Sequence, residues 1–148
     1  MEIERKYLVD TNVFDYSKYP SKKLIQGYLN TSPVVRVRRE DNEYYLTYKG
    51  GGMMVREEYN LPLSKEAFEH LILKSDGNII EKDRYIIPYE KYTIELDVFA
   101  PPFAPLVMAE VEFSTVEEAN SFTPPNWFTE EVTNNPSYHN SNMSKQTF

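Results

Sequence analysis

Apolar and polar residues alternate along most of this chain, in short blocks separated by turn residues. Residues 34–40 read Val-Val-Arg-Val-Arg-Arg-Glu, and residues 92–99 read Tyr-Thr-Ile-Glu-Leu-Asp-Val-Phe. A period of two sends successive side chains to opposite faces of a β-strand. The pattern predicts strands at 2–9, 23–30, 34–40, 43–49, 54–62, 79–87, 91–99 and 106–113. Asp41-Asn42 fits a tight hairpin between the third and fourth strands, and Gly50-Gly51-Gly52 another between the fourth and fifth. Glu90-Lys91 turns the seventh strand back on the sixth, and links this short make neighbours antiparallel. Ser64 caps a predicted helix running to about Ser75, with Ala67, Phe68, Leu71 and Ile72 as its apolar face. Thr115 and Glu118 have capping-box spacing for a second, short helix. From Pro124 onward the chain is rich in Pro, Asn and Ser and carries Trp127, Phe128 and Tyr138. That segment reads either as an irregular cap packed by its aromatics or as a loose tail.

Composition agrees with a sheet-dominated α+β fold. Aromatic residues make up 14%, with 12 tyrosines, and such residues favour strands. The length of 148 residues suits one domain over 1–148. There are no cysteines and only two histidines, His70 and His139, which excludes a disulfide framework, a thiolate zinc site and a His-rich metal centre. No apolar run approaches the ~20 residues needed to span a membrane. The charged, strand-like N-terminus fits no signal or transit peptide, so a cytoplasmic protein with no membrane partner is expected. The balance of 16 Lys and Arg against 23 Asp and Glu gives a net charge of -7, which argues against DNA as a partner.

The charges are ordered more than a solvated face requires. Residues two apart share a strand face, which groups Glu2, Glu4 and Lys6; Arg36, Arg38 and Glu40; Thr47 and Lys49; Arg56, Glu58 and Asn60; Lys82 and Arg84; Glu95 and Asp97; Glu110 and Glu112. The opposite faces hold mostly Ile, Val, Leu, Tyr and Phe. Like charges close together on a wet face repel, yet Glu2/Glu4, Arg36/Arg38, Lys82/Arg84, Glu95/Asp97 and Glu110/Glu112 are all like pairs. Paired acids are stabilised by a divalent cation between them, since hard cations take carboxylate oxygens. Paired cations are stabilised by phosphate oxygens, which guanidinium groups grip two at a time. A sheet charged on one face and apolar on the other suggests an antiparallel barrel with a charged lumen. Its apolar outside then needs cover from the helices, the C-terminal segment or a second copy, so a homodimer is one expectation.

The order of these blocks carries a resemblance. Glu2-Ile3-Glu4-Arg5-Lys6 is similar to the ExExK signature of the CYTH superfamily, the triphosphate tunnel metalloenzymes. Gln26-Gly27-Tyr28-Leu29, Val35-Arg36-Val37-Arg38, Tyr44 to Lys49-Gly50, Lys82 with Arg84-Tyr85, Glu95-Leu96-Asp97-Val98 and Glu110-Val111-Glu112 follow in the same order. The tail, with Glu131-Val132-Thr133 and Tyr138-His139-Asn140 to Met143, resembles that of short bacterial members.

The resemblance implies an eight-stranded antiparallel tunnel that binds a triphosphate-containing small molecule with Mg²⁺ or Mn²⁺ and hydrolyses it. Short bacterial members are mostly inorganic triphosphatases, and relatives include class IV adenylyl cyclases and RNA, nucleoside and thiamine triphosphatases. A polyphosphate-binding module without turnover is the non-enzyme alternative. On the resemblance, Glu2, Glu4 and Glu112 match metal ligands with Glu110 close by. Lys6, Arg36, Arg38, Lys49, Lys82 and Arg84 match phosphate-binding positions, and Arg56 shares their face. Lys6 would stabilise the leaving group, and Asp97 or Glu95 would position the attacking water. Asn60 stands where many members keep a second Glu beside Glu58, and a neutral amide there cannot act as a base. Gly50-Gly51-Gly52 is followed by no Gly-Lys-Ser/Thr, so it is not a P-loop. Trp127 reads as a packing anchor, and His139 as a local hydrogen-bonding group.

Overall fold

The computed structural model describes residues 1–148 and is dominated by one antiparallel sheet. Its strands are β1 (Glu2–Val9), β2 (Ser21–Thr31), β3 (Val34–Glu40), β4 (Glu43–Lys49), β5 (Val55–Arg56), β6 (Glu58–Pro62), β7 (Asp76–Tyr89), β8 (Tyr92–Phe99), β9 (Val107–Glu112) and β10 (Phe128–Glu131). Helix α1 spans Lys65–Ile72, α2 Val116–Ser121 and α3 Asn140–Met143, with a 3-10 turn at Pro136–Tyr138.

Hydrogen bonding runs in the order β10-β1-β9-β8-β7-β2-β3-β4-β6, and β5 pairs with β1. The predicted fifth strand is therefore broken at Glu57. Its second half pairs with β4, Lys49 opposite Glu58, and its first half crosses to β1, Glu2 opposite Arg56 and Ile3 opposite Val55. Counting β5 and β6 as one broken stave, eight staves close the ring, as expected. The break also corrects the turn reading. The link from β4 is no tight hairpin at Gly50–Gly52 but the longer loop that carries β5. Gly52 holds it open at φ +120°, where a Cβ would lie 2.3 Å from the Val55 carbonyl oxygen.

The tail is the aromatic-packed cap of the two alternatives, with a short strand in it that the pattern did not predict. Residues 128–131 form β10, which takes the edge of β1 that β5 leaves free, Tyr7 opposite Glu131. Arg5, on the outer face, fastens this end: it donates to both carboxylate oxygens of Glu131 (2.8 and 2.6 Å) and to the Ala119 carbonyl of α2 (2.6 Å).

Both helix caps form as the sequence requires. Ser64 Oγ accepts from Ala67 N (3.1 Å) and Thr115 Oγ1 from Glu118 N (3.1 Å), although α1 stops at Ile72, short of Ser75. Phe68 of α1 packs on Tyr44, and the chain leaving α1 presses Ser75 onto β2 at Gly27, where a Cβ would sit 2.2 Å from Ser75 Oγ. On the other side, Tyr7, Leu96, Val111 and Phe113 of the outer barrel face are covered by Ala119, Phe122 and Trp127. Trp127 stacks on Phe14 at 4.1 Å. Each such buried side chain contributes roughly 1.5–3 kcal/mol, so the outward apolar positions stabilise the fold and leave the lumen free for charge.

The inward positions change character towards one end. Val34, Ile80, Phe99 and Met108 point inward beyond the charged belt and form a second apolar cluster with Val132 and Met143. The C-terminal segment thus plugs one end of the barrel from inside. No helix is long and apolar enough to cross a membrane.

Candidate active site

Strand register places the charged residues around one cavity of about 380 Å³. Of the residues singled out in the sequence, Glu2, Glu4, Lys6, Arg36, Arg38, Glu40, Lys49, Arg56, Glu58, Asn60, Lys82, Arg84, Glu95, Glu110 and Glu112 all line it. Asp97 does not. It shares the inner face of β8 with Glu95 but is covered by Lys82 and Arg84, with no exposed surface, and both its oxygens are taken.

The wall of β7, β8 and β9 is an ion-paired lattice. Asp97 accepts from Arg84 Nε (2.7 Å) and Nη2 (2.9 Å), and its Oδ2 lies 2.8 Å from Lys82 Nζ. Arg84 also donates to Glu95 (3.2 Å) and approaches Glu110 (3.8 Å), which in turn accepts from Lys6 Nζ (3.2 Å). Burial would raise the acids, but Arg84 and Lys82 hold Asp97 below its usual range, and Lys6 and Arg84 hold Glu110 well below. Lys82 is pushed down to about 7 by burial and by Arg84 and Arg38, against the pull of Asp97. A water-positioning role for Asp97 is therefore at odds with its place. Glu95 stays half-buried at the cavity, with only one of its two carboxylate oxygens bonded.

The β3 and β4 wall differs. Arg36 is 6% exposed and has no carboxylate partner; Nη2 donates to Thr47 Oγ1 (3.2 Å), and Nε is buried with no partner at all. Arg38 donates to Gln26 Oε1 (2.8 Å) and Glu40 (3.3 Å), and burial with the Arg36 and Arg84 charges lowers it to about 10. Leaving a buried guanidinium short of partners is costly unless a ligand supplies them.

Carboxylates crowd where β1, β5, β6 and β9 meet. Burial and then the Glu4 charge raise Glu2 to about 8, despite Lys49 Nζ at 3.0 Å. Burial and then Glu110 raise Glu4 to about 7, and burial, Glu58 and Glu95 raise Glu112. Glu58 goes the other way, to about 2. Burial raises it, but the hydrogen bond with Glu2 and the Lys49 charge outweigh burial. No three acidic or histidine side chains stand together at ion-binding spacing. The donor set nevertheless fits a hard divalent cation: oxygen-only ligands whose mutual repulsion such an ion would remove. Asn60 bridges the two walls, accepting from Thr47 Oγ1 (2.5 Å) and donating to Glu58 (3.1 Å).

Several lining residues have no counterpart among the predicted ones. Tyr28, Tyr45, His139, Asn140 and Ser141 reach the cavity, and Gln26 lies just behind it, fully buried. Gln26 carried a signal, a polar side chain inside the apolar run Leu24-Ile25-Gln26-Gly27-Tyr28-Leu29. Asn140 stood in the family-like tail but with no sign that it faces the lumen, because the path of the tail is set by tertiary contacts. Lys6 N donates to Thr133 Oγ1 (2.9 Å) and His139 Nε2 meets the Thr133 carbonyl (3.0 Å), which seats α3 against the lumen.

A family model, the CYTH domain, matches residues 1–142. The chain is 41% identical over 144 residues to an inorganic triphosphatase of Nitrosomonas europaea, covering 94% of this chain and 93% of that protein. It is 36% identical over 154 residues to an inorganic triphosphatase of Acetivibrio thermocellus, covering 99% and 95%. Among solved structures, the crystal structure of an inorganic triphosphatase superposes with a TM-score of 0.73 at 36% identity, covering 99% of this chain and 96% of that one.

Proposed function

Since the chain belongs to the CYTH domain family, we propose that it is an inorganic triphosphatase, hydrolysing triphosphate to diphosphate and phosphate with Mg²⁺ or Mn²⁺. The observation that carries this reading is the buried Arg36 guanidinium, short of protein partners and facing a cavity whose opposite corner is crowded carboxylate.

In this reading Arg36 and Arg38 grip phosphate oxygens, with Lys49 and Arg56 adding charge from β4 and β5. Lys6 and Lys82 face the transferring and leaving phosphates, where fixed positive charge stabilises the transition state. Glu2, Glu4 and Glu112 would hold the divalent cation, which when bound supplies Lewis-acid charge to phosphate oxygens. Glu110, already held by Lys6 and Arg84, orients those two cations. Glu95 takes the water-positioning role, because it keeps a free oxygen at the cavity and Asp97 keeps none. Asn60 holds Glu58 as a carboxylate and leaves Thr47 oriented towards Arg36.

Phosphate release tests this. The purified protein should release phosphate from inorganic triphosphate with Mg²⁺ or Mn²⁺, lose the activity in excess chelator, and show lower kcat/KM for ATP. A cyclic nucleotide product, or a higher kcat/KM for ATP, would move it to the cyclase or nucleoside triphosphatase reading. Binding of triphosphate without turnover would make it a polyphosphate-binding module.

A further inference from the structure

Two buried amides link the Arg38 clamp to the C-terminal plug, and their orientation is fixed from both ends. Arg38 Nε can only donate, so the Gln26 atom that it meets at 2.8 Å is the carbonyl oxygen. The Gln26 amino group must then point away from Arg38. It donates to Tyr28 Oη (3.2 Å) and to the side chain of Asn140 (3.0 Å), which makes the receiving atom Asn140 Oδ1. Lys82 Nζ donates to the same oxygen at 2.9 Å. With its oxygen held by two donors, Asn140 has no freedom to flip, and its amino group is left over. Asn140 is only 8% exposed, it lines the cavity, and Nδ2 meets no acceptor in the protein.

We infer that Asn140 is a further substrate-binding residue, whose Nδ2 donates to a phosphate oxygen of the bound triphosphate. This rests on the triphosphatase reading above. A neutral donor suits this end of the cavity, where Lys82, Arg38 and Arg84 already crowd positive charge and another cation would repel them. The relay also makes α3 part of the site. The C-terminal segment completes the phosphate cradle and does more than fill the barrel end.

Asn140→Asp separates this role from a structural one. The carboxylate keeps an oxygen for Gln26 and Lys82, so a residue that merely holds the plug tolerates the change. It also replaces the free donor with an anion facing phosphate. The expected result is a KM for triphosphate at least tenfold above wild type, with the unliganded melting midpoint unchanged or raised. A folded Asn140→Asp enzyme with KM and kcat within twofold of wild type overturns the inference. The wild-type protein gives a second readout that needs no variant to fold. On titration with a non-hydrolysable imido analogue of triphosphate and Mg²⁺, the assigned Asn140 side-chain amide resonances should shift with the other cavity signals. Cavity signals that move while the Asn140 amide stays still also overturn it. If no signal moves and wild type releases no phosphate, it is the triphosphatase reading that fails.

Discussion

Arg84 and Arg36 carry the same guanidinium at similar burial, 7% and 6% exposed, on strands that flank β2 in one cavity. Arg84 sits among Asp97, Glu95 and Glu110, with both Asp97 oxygens accepting from it. Arg36 has one long hydrogen bond to a threonine. A buried charge that the protein has already neutralised belongs to the scaffold, and removing it strands its partners. A buried charge left short of partners is an unfinished contact, which a ligand completes. The cavity therefore has a wall that holds itself together and a wall that waits for substrate.

The largest expected effects come from exchanging the two roles. Arg84→Ala leaves Asp97 and Glu110 buried with fewer counter-charges, which should cost about 3–5 kcal/mol in denaturant unfolding. Arg36→Ala strands no acid and removes a buried charge short of partners, so its unfolding free energy should stay near wild type or rise. Turnover is the converse. Losing a charge-assisted contact in the transition state should cost Arg36→Ala about 2–4 kcal/mol, roughly two to three decades of kcat/KM for triphosphate. An unfolded Arg36→Ala beside a stable Arg84→Ala would show that the walls are assigned the wrong way round.

This contrast was only half legible in the sequence. Alternation gathered the lumen charges on one face of each strand, and the Ser64 and Thr115 caps fell where the helices begin. In the strand pattern, however, Arg36 and Arg84 looked equivalent, each beside another cation two residues away. What separates them is register: Arg84 lies opposite Asp97 across the β7–β8 pair, and Arg36 opposite Thr47 across β3–β4. Pairing between strands is a tertiary fact. For the same reason Asp97 looked like a candidate for water activation, when its neighbours make it a buried counter-ion. The break at Glu57, strand β10 and the seat of Asn140 escaped because short segments with little periodicity are placed by what they pack against.

The carboxylate corner differs from both walls in its response to pH. Glu2 and Glu4 sit near 8 and 7 in the folded chain, against an ordinary value of 4.5. Between pH 5 and 7 the folded protein keeps protons that the unfolded chain has released, so metal-free stability should fall as pH rises through this range. Asp97 and Glu110, shifted downward, have already made their full contribution above pH 5. His139, lowered mainly by burial, opposes the trend, and Lys82 at about 7 reverses it above neutrality. The melting midpoint of the chelated protein should drop by several degrees from pH 5 to 7, and less in Glu4→Gln. Added Mg²⁺ should raise the midpoint more at pH 7 than at pH 5, because protons compete for the same oxygens. A midpoint that rises with pH, or ignores Mg²⁺ at pH 7, would remove this corner as the cation site.

The finest distinction concerns what little holds Arg36 before substrate arrives. Thr47 Oγ1 receives Arg36 Nη2 at 3.2 Å while donating to Asn60 at 2.5 Å, so one fully buried hydroxyl links the unpaired wall to the carboxylate corner. Thr47→Val keeps the shape and removes that link, leaving the Asn60 oxygen and one Arg36 N–H without a partner. A neutral buried hydrogen bond contributes about 0.5–1.5 kcal/mol, so stability should fall by about 1 kcal/mol. Arg36 keeps its charge and its reach, and substrate phosphate supplies its partners in the complex. The kinetic loss should therefore stay below about tenfold and appear mainly in KM, where a loosened guanidinium must be reordered on binding. A Thr47→Val enzyme as impaired as Arg36→Ala would mean that the hydroxyl, and not the ligand, fixes the clamp, and that the β3–β4 wall is as preassembled as the wall of β7, β8 and β9.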